Sequence, residues 1–226
     1  MRKKMKQQLA VLHSDVFYDE GLRGASCIQR LALWKQYETV LLFLSMPDEI
    51  NTGPLIEAAL SDGKRVFAPR VVSDTSRMVS DTPCGALDAI PRVVSDTPQR
   101  SLCFFRVYDT DGPWHYGAYH IREPLNTRAE DCLDQKHFPA LIIAPGMVFD
   151  REGQRLGHGR AYYDRFFAGL DAQGLTYATI GFCLKMQVVE CVPTDLYDKQ
   201  MDVVCAGEAF HTHQHSAKHL STHSES

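Results

Sequence analysis

Short apolar runs alternate with amphipathic segments along most of this 226-residue chain. Strands buried inside a parallel sheet are apolar throughout, so four runs predict such strands, at 39–45, 65–71, 140–145 and 177–183. Residues 102–109 predict a further strand, and 188–193 predict a short one. The apolar pattern therefore indicates one sheet assembled from distant parts of the chain.

Apolar residues at helical spacing predict four helices, at 2–20, 22–37, 52–60 and 161–171. The order strand, helix, strand over residues 39–71 favours parallel pairing, because parallel strands need a crossover connection. The pattern predicts an α/β fold with a largely parallel central sheet.

Two segments depart from this pattern. The tetrapeptide VSDT occurs three times between residues 72 and 100, where Ser, Asp, Thr and Pro dominate. We interpret 72–100 as a surface-loop insert in a single domain, 1–207, with a phosphorylated or partner-binding loop as the alternative.

Residues 208–226 contain five of the ten histidines and little to anchor them, which predicts a disordered tail. Metal binding by its histidines, among them His211, His213 and His215, is the alternative.

Composition excludes several functional classes. A net charge of -4 argues against broad nucleic-acid binding, and no apolar stretch is long enough to cross a membrane. The basic amino terminus lacks a long apolar segment, so we expect no secretory signal. The seven cysteines form no C-x-x-C pair, which predicts reduced thiols rather than disulfides or a zinc site. We expect a cytoplasmic protein.

The segment 145–166, PGMVFDREGQRLGHGRAYYDRF, carries the strongest chemical signal. After the strand predicted at 140–145 come three closely spaced glycines, Gly153, Gly157 and Gly159, with Arg155, His158 and Arg160 among them, and then a helix start. Glycines let backbone N–H groups approach an anion, and a helix amino terminus carries partial positive charge. The segment lacks the Lys-Ser/Thr pair of a Walker loop and the G-x-G-x-x-G dinucleotide fingerprint. It predicts a polyphosphate-binding loop, and the alternative is a turn whose arginines face water.

Asp164 follows this loop and has two interpretations. It lies four residues after Arg160, so the two could form an ordinary ion pair on one helix face. It could also bind Mg²⁺, which uses one or two carboxylates together with substrate phosphates. The second carboxylate would then come from Asp195, Asp198 or Asp202.

Four segments together resemble the 5-formyltetrahydrofolate cyclo-ligase (methenyltetrahydrofolate synthetase) family: the basic amino-terminal helix, LFLSMPDEINT (42–52), the glycine-rich segment and VPTDLYDKQMD (192–202). The resemblance covers residues 2–205 and leaves the VSDT repeats outside. It implies a three-layer α/β/α fold of the NagB/RpiA-like kind. It also implies a monomeric enzyme that depends on ATP and Mg²⁺. This enzyme phosphorylates the N5-formyl oxygen of 5-formyltetrahydrofolate, a substrate that carries a polyglutamate tail in some forms. Attack by N10 then yields 5,10-methenyltetrahydrofolate, ADP and phosphate.

The resemblance also implies roles for particular residues. Catalytic roles fall on Arg155, Arg160 and Tyr162, and magnesium binding on Asp164 and Asp198. The implied ATP-binding residues are Arg2, Lys3, Lys6, Arg155, Leu156, Gly157, His158, Gly159, Arg160, Ala161, Tyr162 and Tyr163. The implied folate-binding residues are Leu44, Glu49, His158, Gly159, Arg160, Ala161 and Tyr162. The alternatives are a buried strand position for Leu44, a helix cap for Glu49 and solvated charges for Lys3 and Lys6.

The loop departs from the family pattern at two positions. His158 replaces an arginine, and an imidazole binds phosphate less strongly than a guanidinium. Ala161 replaces a glycine, and alanine would be strained there if the position has a positive φ. These departures leave a second hypothesis open, a non-catalytic relative that binds folate or nucleotide. A sugar-phosphate isomerase or acyl-group transferase of the same general fold is a third.

Overall fold

A computed structural model of the chain describes residues 1–73, 100–112, 114–117, 122–125, 131–195 and 198–212. The VSDT repeats beyond Ser73 lie outside these ranges, as do His213, His215 and the rest of the tail. The predictions for those segments stay predictions.

The described residues form five α-helices: α1 (Arg2–Leu9), α2 (Ser14–Arg30), α3 (Ala32–Gln36), α4 (Gly53–Ser61) and α5 (Tyr162–Ala172). The single helix predicted over 2–20 was wrong. His13 is extended, and its Nδ1 accepts the Asp15 N–H at 3.4 Å, so it caps a new helix instead of continuing the first. The helix predicted over 22–37 is likewise divided, because Leu31 is extended.

Twelve strands lie in the described ranges: β1 (Thr39–Leu41), β2 (Arg65–Ser73), β3 (Arg100–Val107), β4 (Trp114–Tyr116), β5 (Arg122–Pro124), β6 (Ala140–Ala144), β7 (Val148–Asp150), β8 (Arg155–Leu156), β9 (Tyr177–Cys183), β10 (Val188–Val189), β11 (Val203–Ala206) and β12 (Ala209–Thr212). The main sheet has seven of them, in the order β12-β11-β9-β6-β1-β2-β3. The five central strands are parallel, and the two edge strands are antiparallel to their neighbours. This confirms the predicted parallel sheet.

The sheet is covered on both faces, which explains its apolar strands. Val40 faces a core cluster shared with α1 to α4, while Leu41 faces a second cluster shared with α5. From the second side, Phe166 and Phe167 of α5 pack onto the sheet. Full burial of such a side chain stabilises the fold by about 1.5–3 kcal/mol. The arrangement confirms three layers, α/β/α.

The boundaries of the insert and of the tail differ from the predicted ones. β2 continues to Ser73 and β3 begins at Arg100, so both ends of the 72–100 segment are paired strand. Residues 209–212, predicted as tail, form β12 against β11. A turn with Gly207 at φ 57° reverses the chain there, and β12 pairs backbone groups that would otherwise leave β11 as an open edge.

The described cysteines form no disulfide: Cys27, Cys103, Cys132, Cys183, Cys191 and Cys205. All but Cys191 are buried, and burial raises the pKa of the Cys183 and Cys205 thiols. Reduced thiols were predicted, and Cys84 lies outside the described residues. Among the helices in the described ranges, none has the length and apolar character needed to cross a membrane.

Candidate active site

Glu49 lies in a tight turn beyond the carboxyl end of β1. The chain leaves β1 as a buried extended segment and turns at Met46, whose backbone N–H donates to Glu49 Oε2 at 2.9 Å. The Glu49 N–H donates in return to the Met46 carbonyl at 3.0 Å. Glu49 therefore stabilises its own turn, and the alternative in which it caps helix α4 is wrong. Its side chain is only 10% exposed.

A buried aspartate shapes the start of the glycine-rich loop. Asp150 ends β7, and its Oδ1 accepts the N–H groups of Glu152 (3.1 Å) and Gln154 (2.9 Å). Its Oδ2 accepts the Val192 N–H at 2.9 Å, which attaches the later segment to the loop. The sequence analysis missed this role. The spacing Asp-x-x-Gly, in which Gly153 adopts φ 86° in the tight turn, was the available signal.

Two further positions in the loop, after Gly153, have a positive φ. Gly159 has φ 91°, which glycine adopts without strain. Ala161 has φ 50° and ψ 26°, a left-handed conformation, and α5 begins immediately after it. The condition under which the sequence analysis expected alanine to be strained, a positive φ, is therefore met. An alanine there costs roughly 1–2 kcal/mol relative to a right-handed conformation.

Arg155 places a buried cation at the centre of the loop. Its Nη2 donates to Asp164 Oδ1 and its Nη1 to the Pro145 carbonyl, the latter at 3.2 Å. The Arg155 side chain is 4% exposed and that of Asp164 23%. Within the described residues Arg155 Nε is buried and has no hydrogen-bond partner. The loop thus contains a desolvated guanidinium with a hydrogen-bond donor to spare.

Two distant segments contact this loop. His158 Nε2 lies 3.1 Å from Glu49 Oε1, and Arg2 Nε donates to the Gly157 carbonyl at 2.7 Å. The structure therefore joins the start of α1, the Glu49 turn and the loop, as the four-segment resemblance requires. Arg160 is exposed, and Tyr162 is half-buried with the Arg165 guanidinium 5.3 Å from its ring centroid.

Tyr163 contributes a hydroxyl with unusual surroundings. Its Oη is buried and has no hydrogen-bond partner in the described part of the chain. Burial raises the pKa of this phenol, the Glu49 carboxylate raises it further, and the Arg155 guanidinium opposes them. The group is therefore a neutral donor near both charged side chains. Leaving a buried hydroxyl without a hydrogen bond costs about 1–3 kcal/mol. We therefore expect a group from outside the protein to accept a hydrogen bond from it.

Other predicted site residues do not take part in the contacts around the glycine-rich loop. Lys3 and Lys6 are exposed and make no hydrogen bond or ion pair within the described ranges. Leu44 is buried in the core cluster shared with α1 to α4, as the alternative expected, but it lies beyond the end of β1 and is not part of the strand. Arg165, which the sequence analysis did not single out, ties the loop to β3 by donating to the carbonyls of Arg160 and Arg100, each at 3.1 Å.

The two predicted magnesium ligands were tested for their fit to the ion. Asp164 binds Arg155 through Oδ1, and Asp198 accepts the Asp195 N–H through Oδ2 at 2.9 Å. In the described residues each carboxylate keeps one oxygen outside any hydrogen bond, which suits a cation that takes few protein oxygens. No hydrogen bond links the two aspartates, and no cluster of three or more His, Cys, Asp or Glu poised for a metal occurs in the described ranges.

Comparison with known proteins agrees with this architecture. A sequence profile of the 5-formyltetrahydrofolate cyclo-ligase family matches residues 1–207. The chain is 27% identical over 221 residues to the 5-formyltetrahydrofolate cyclo-ligase of Saccharomyces cerevisiae, covering 95% of this chain and 97% of the yeast protein. It is 30% identical over 166 residues to the Escherichia coli K12 enzyme of that name, covering 74% and 76%.

Solved structures show the same fold. The NMR structure of Aquifex aeolicus 5,10-methenyltetrahydrofolate synthetase superposes with a TM-score of 0.67 at 22% identity, covering 94% of this chain and 91% of that one. A 5,10-methenyltetrahydrofolate synthetase from Mycoplasma pneumoniae gives 0.58 at 17% identity, covering 90% and 94%. With the profile spanning the glycine-rich loop, the Glu49 turn and the basic first helix, the chain belongs to the 5-formyltetrahydrofolate cyclo-ligase family.

Proposed function

We propose that the chain is a 5-formyltetrahydrofolate cyclo-ligase that uses MgATP to form 5,10-methenyltetrahydrofolate. Family membership and the names of its relatives support the reaction. The observation that carries the proposal is the convergence of Arg2, Glu49 and Arg155 around one glycine-rich loop. It supplies cations for a polyphosphate and a carboxylate for a second, nitrogen-rich substrate.

The loop suits the triphosphate of ATP. Arg155 brings a buried guanidinium, and the segment from Gly157 to Ala161 brings backbone N–H groups just before the amino terminus of α5. Arg2, placed against Gly157, adds a second cation at the loop's edge. Phosphoryl transfer depends on positioning and charge stabilisation rather than on a protein nucleophile, and these groups provide both.

The reaction proceeds in two steps in this proposal. The formyl oxygen of 5-formyltetrahydrofolate attacks the γ-phosphorus of ATP, the bond to the bridging oxygen breaks, and ADP leaves. The lone pair of N10 then attacks the activated formyl carbon. The carbon–oxygen bond breaks, phosphate leaves and N10 loses its proton. Arg155 and Arg160 stabilise the charge on the phosphoryl oxygens, and Tyr162 lies against the folate.

Glu49 provides the recognition group for the pterin ring. Its carboxylate is nearly buried, and its Oε1 faces His158 across the loop. Pterin N–H groups are donors that a carboxylate accepts well. In this proposal the folate replaces the His158 hydrogen bond at Oε1, while Oε2 continues to hold the Met46 backbone.

Magnesium completes the proposed substrate complex. Asp164 and Asp198 would hold the ion through their free carboxylate oxygens. Its contribution is to neutralise phosphate charge during transfer. Arg155 orients Asp164 by donating to its Oδ1, so the proposal assigns this guanidinium a part in presenting the carboxylate as well as in binding phosphate.

The test is a turnover assay on the full chain. Incubation with 5-formyltetrahydrofolate, ATP and Mg²⁺ is expected to produce the absorbance of the methenyl product, and omitting ATP or adding a magnesium chelator is expected to abolish it. Protein that binds both substrates but forms no product at any magnesium concentration would contradict the proposal.

One observation favours a second candidate, a non-catalytic relative that binds folate or nucleotide. His158 occupies the Glu49 oxygen to which the folate would bind, and Ala161 introduces strain into the loop. Calorimetry separates the two functions: tight binding of 5-formyltetrahydrofolate by protein without turnover would favour the second candidate.

A further inference from the structure

A second concave surface lies along the same edge of the main sheet, toward β12. The groove has a volume of about 460 Å³ and is lined by Arg151, Lys185, Val188, Val189, Glu190, Ala206, Ala209 and His211. Arg151 lies in the 145–166 segment, but none of these residues is among those assigned to ATP, folate or magnesium. Its size falls within the range of small-molecule sites, roughly 300–1,000 Å³.

The position of the groove follows from the strand order. β9 and β11 are parallel neighbours, and Lys185 and Ala206 lie at or just beyond their carboxyl ends. β7 and β10 form another parallel pair, and Arg151 and Glu190 follow directly after those strands. Open α/β sheets bind ligands at the carboxyl ends of their strands. Four strand ends meet here, outside the residues assigned to ATP and folate.

The groove has an apolar floor and a cationic wall. Val188, Val189 and Ala206 supply the floor. In the described residues the Arg151 guanidinium forms no hydrogen bond and no ion pair, although Glu190 lines the same groove. Lys185 adds a second cation, whose ammonium also contacts Glu208 at 2.7 Å.

His211 makes the wall more favourable to an anion. Burial lowers the pKa of its imidazole, and the nearby Arg151 charge lowers it further. Both effects favour the neutral imidazole, which can donate one hydrogen bond. Arg151 and His211 thus present two donors above an apolar floor, and within the described part of the chain no carboxylate is hydrogen-bonded to either.

We propose that this groove is a second ligand site, which binds a small organic anion composed of a carboxylate or phosphate and an apolar body. Arg151 and His211 bind the anionic group, Lys185 adds charge at the rim, and the valines contact the body of the ligand. Glu190 disfavours the anion and limits its affinity. The inference is independent of the proposed reaction, because it uses none of the same residues.

The test is titration of the full chain with phenyl phosphate and with benzoate, followed by NMR of valine and alanine methyl groups at saturating ATP. Benzyl alcohol serves as the uncharged control probe. We expect either anion to shift the signals of Val188, Val189 and Ala206, and benzyl alcohol to leave them unchanged. Shifts confined to residues of the glycine-rich loop, or equal shifts with benzyl alcohol, would overturn the proposal.

Three variants sharpen the test. Arg151→Gln is expected to weaken binding of the anionic probes at least about tenfold, because it removes a charged hydrogen-bond donor. Glu190→Gln is expected to tighten binding several-fold. Lys35→Gln, which removes an exposed positive charge on α3, serves as the matched control and is expected to bind like the unmodified protein. An Arg151→Gln variant with unchanged thermal stability and unchanged affinity would refute the site, whatever the outcome of the turnover assay.

Discussion

His158 Nε2 lies 3.1 Å from Glu49 Oε1, although 109 residues separate the two in the chain. The pair joins the turn beyond β1 to the loop beyond β6, and the same carboxylate holds the Met46 backbone through its other oxygen. A ligand that uses Glu49 must therefore displace an imidazole before it binds. This contact explains how a histidine is accommodated where the family pattern has an arginine.

Glu49→Gln is expected to weaken binding of 5-formyltetrahydrofolate at least about tenfold, because an amide offers the pterin one neutral acceptor in place of a charged one. ATP affinity should change less than about twofold, because Glu49 lies outside the glycine-rich loop that binds the phosphates in this proposal. Calorimetry with each ligand measures both. Asp48→Asn, in the same turn, is the control; if it weakens folate binding as much as Glu49→Gln does, Glu49 has no specific role.

His158→Arg tests the departure from the family pattern. A guanidinium carries its charge at every working pH and can bind phosphate in a bidentate manner, so ATP affinity should rise about three- to tenfold. The folate affinity should fall, because arginine would bind Glu49 more tightly than the imidazole does. Measuring both dissociation constants at pH 6 and pH 8 checks the prediction. An ATP affinity that falls would show that His158 itself makes the better contact.

Asp164→Asn removes the counterion of a nearly buried guanidinium. We expect the free energy of unfolding to fall by about 2 kcal/mol, because Arg155 would keep its charge without a charged partner. Chemical denaturation measures this. Asp171→Asn, on the same helix, is the control: the Asp171 side chain is 51% exposed, against 23% for Asp164, and an amide oxygen can still accept from Lys199 and Tyr177, so the loss should stay within about 1 kcal/mol.

The same Asp164→Asn variant tests the magnesium proposal. Turnover at saturating ATP is expected to fall about a hundredfold, and the magnesium concentration for half-maximal turnover to rise. A variant that is destabilised but keeps the magnesium dependence of the unmodified protein would limit Asp164 to its ion pair with Arg155.

Ala161→Gly is expected to stabilise the protein by about 0.5 kcal/mol, because relief of the left-handed strain exceeds the added backbone entropy of the unfolded chain. Ala168→Gly is the matched control. It makes the same substitution at an exposed interior position of α5 and should destabilise by about 1 kcal/mol. Denaturation curves that shift in the same direction for both variants would show that strain at Ala161 is not the cause.

Tyr163→Phe removes a buried hydroxyl that has no partner in the described part of the chain. The free energy of unfolding should stay constant or rise by about 1 kcal/mol, since no protein hydrogen bond is lost. Turnover should nevertheless fall at least about tenfold if the hydroxyl donates to a bound substrate. Tyr18→Phe, at an exposed position of α2, should change neither quantity. Equal stability and equal turnover in Tyr163→Phe would assign the hydroxyl no function.

Most of the main sheet could be predicted from apolar runs, because strands covered on both faces are apolar at every position. The failures have local causes. Helix α1 ends early because His13 caps the amino terminus of α2. This capping hydrogen bond competes with the backbone hydrogen bonds that would continue α1. The hairpin of β7 and β8 was missed because its strands are very short, and it depends on hydrogen bonds from Asp150. β12 was missed because it is short, mixes apolar and polar residues, and depends on pairing with β11 for its stability.

The amino-acid sequence by itself determined the layered α/β fold, the position of the glycine-rich loop, and the family to which the chain belongs. It did so because burial and backbone geometry restrict which residues can occupy each place. Only the tertiary structure decided the partners: Asp164 binds Arg155, Glu49 faces His158, and the Tyr163 hydroxyl has no partner among the described residues. These contacts join residues that come together only when parallel strands from distant segments end at one edge of the sheet, so no local pattern in the chain could specify them.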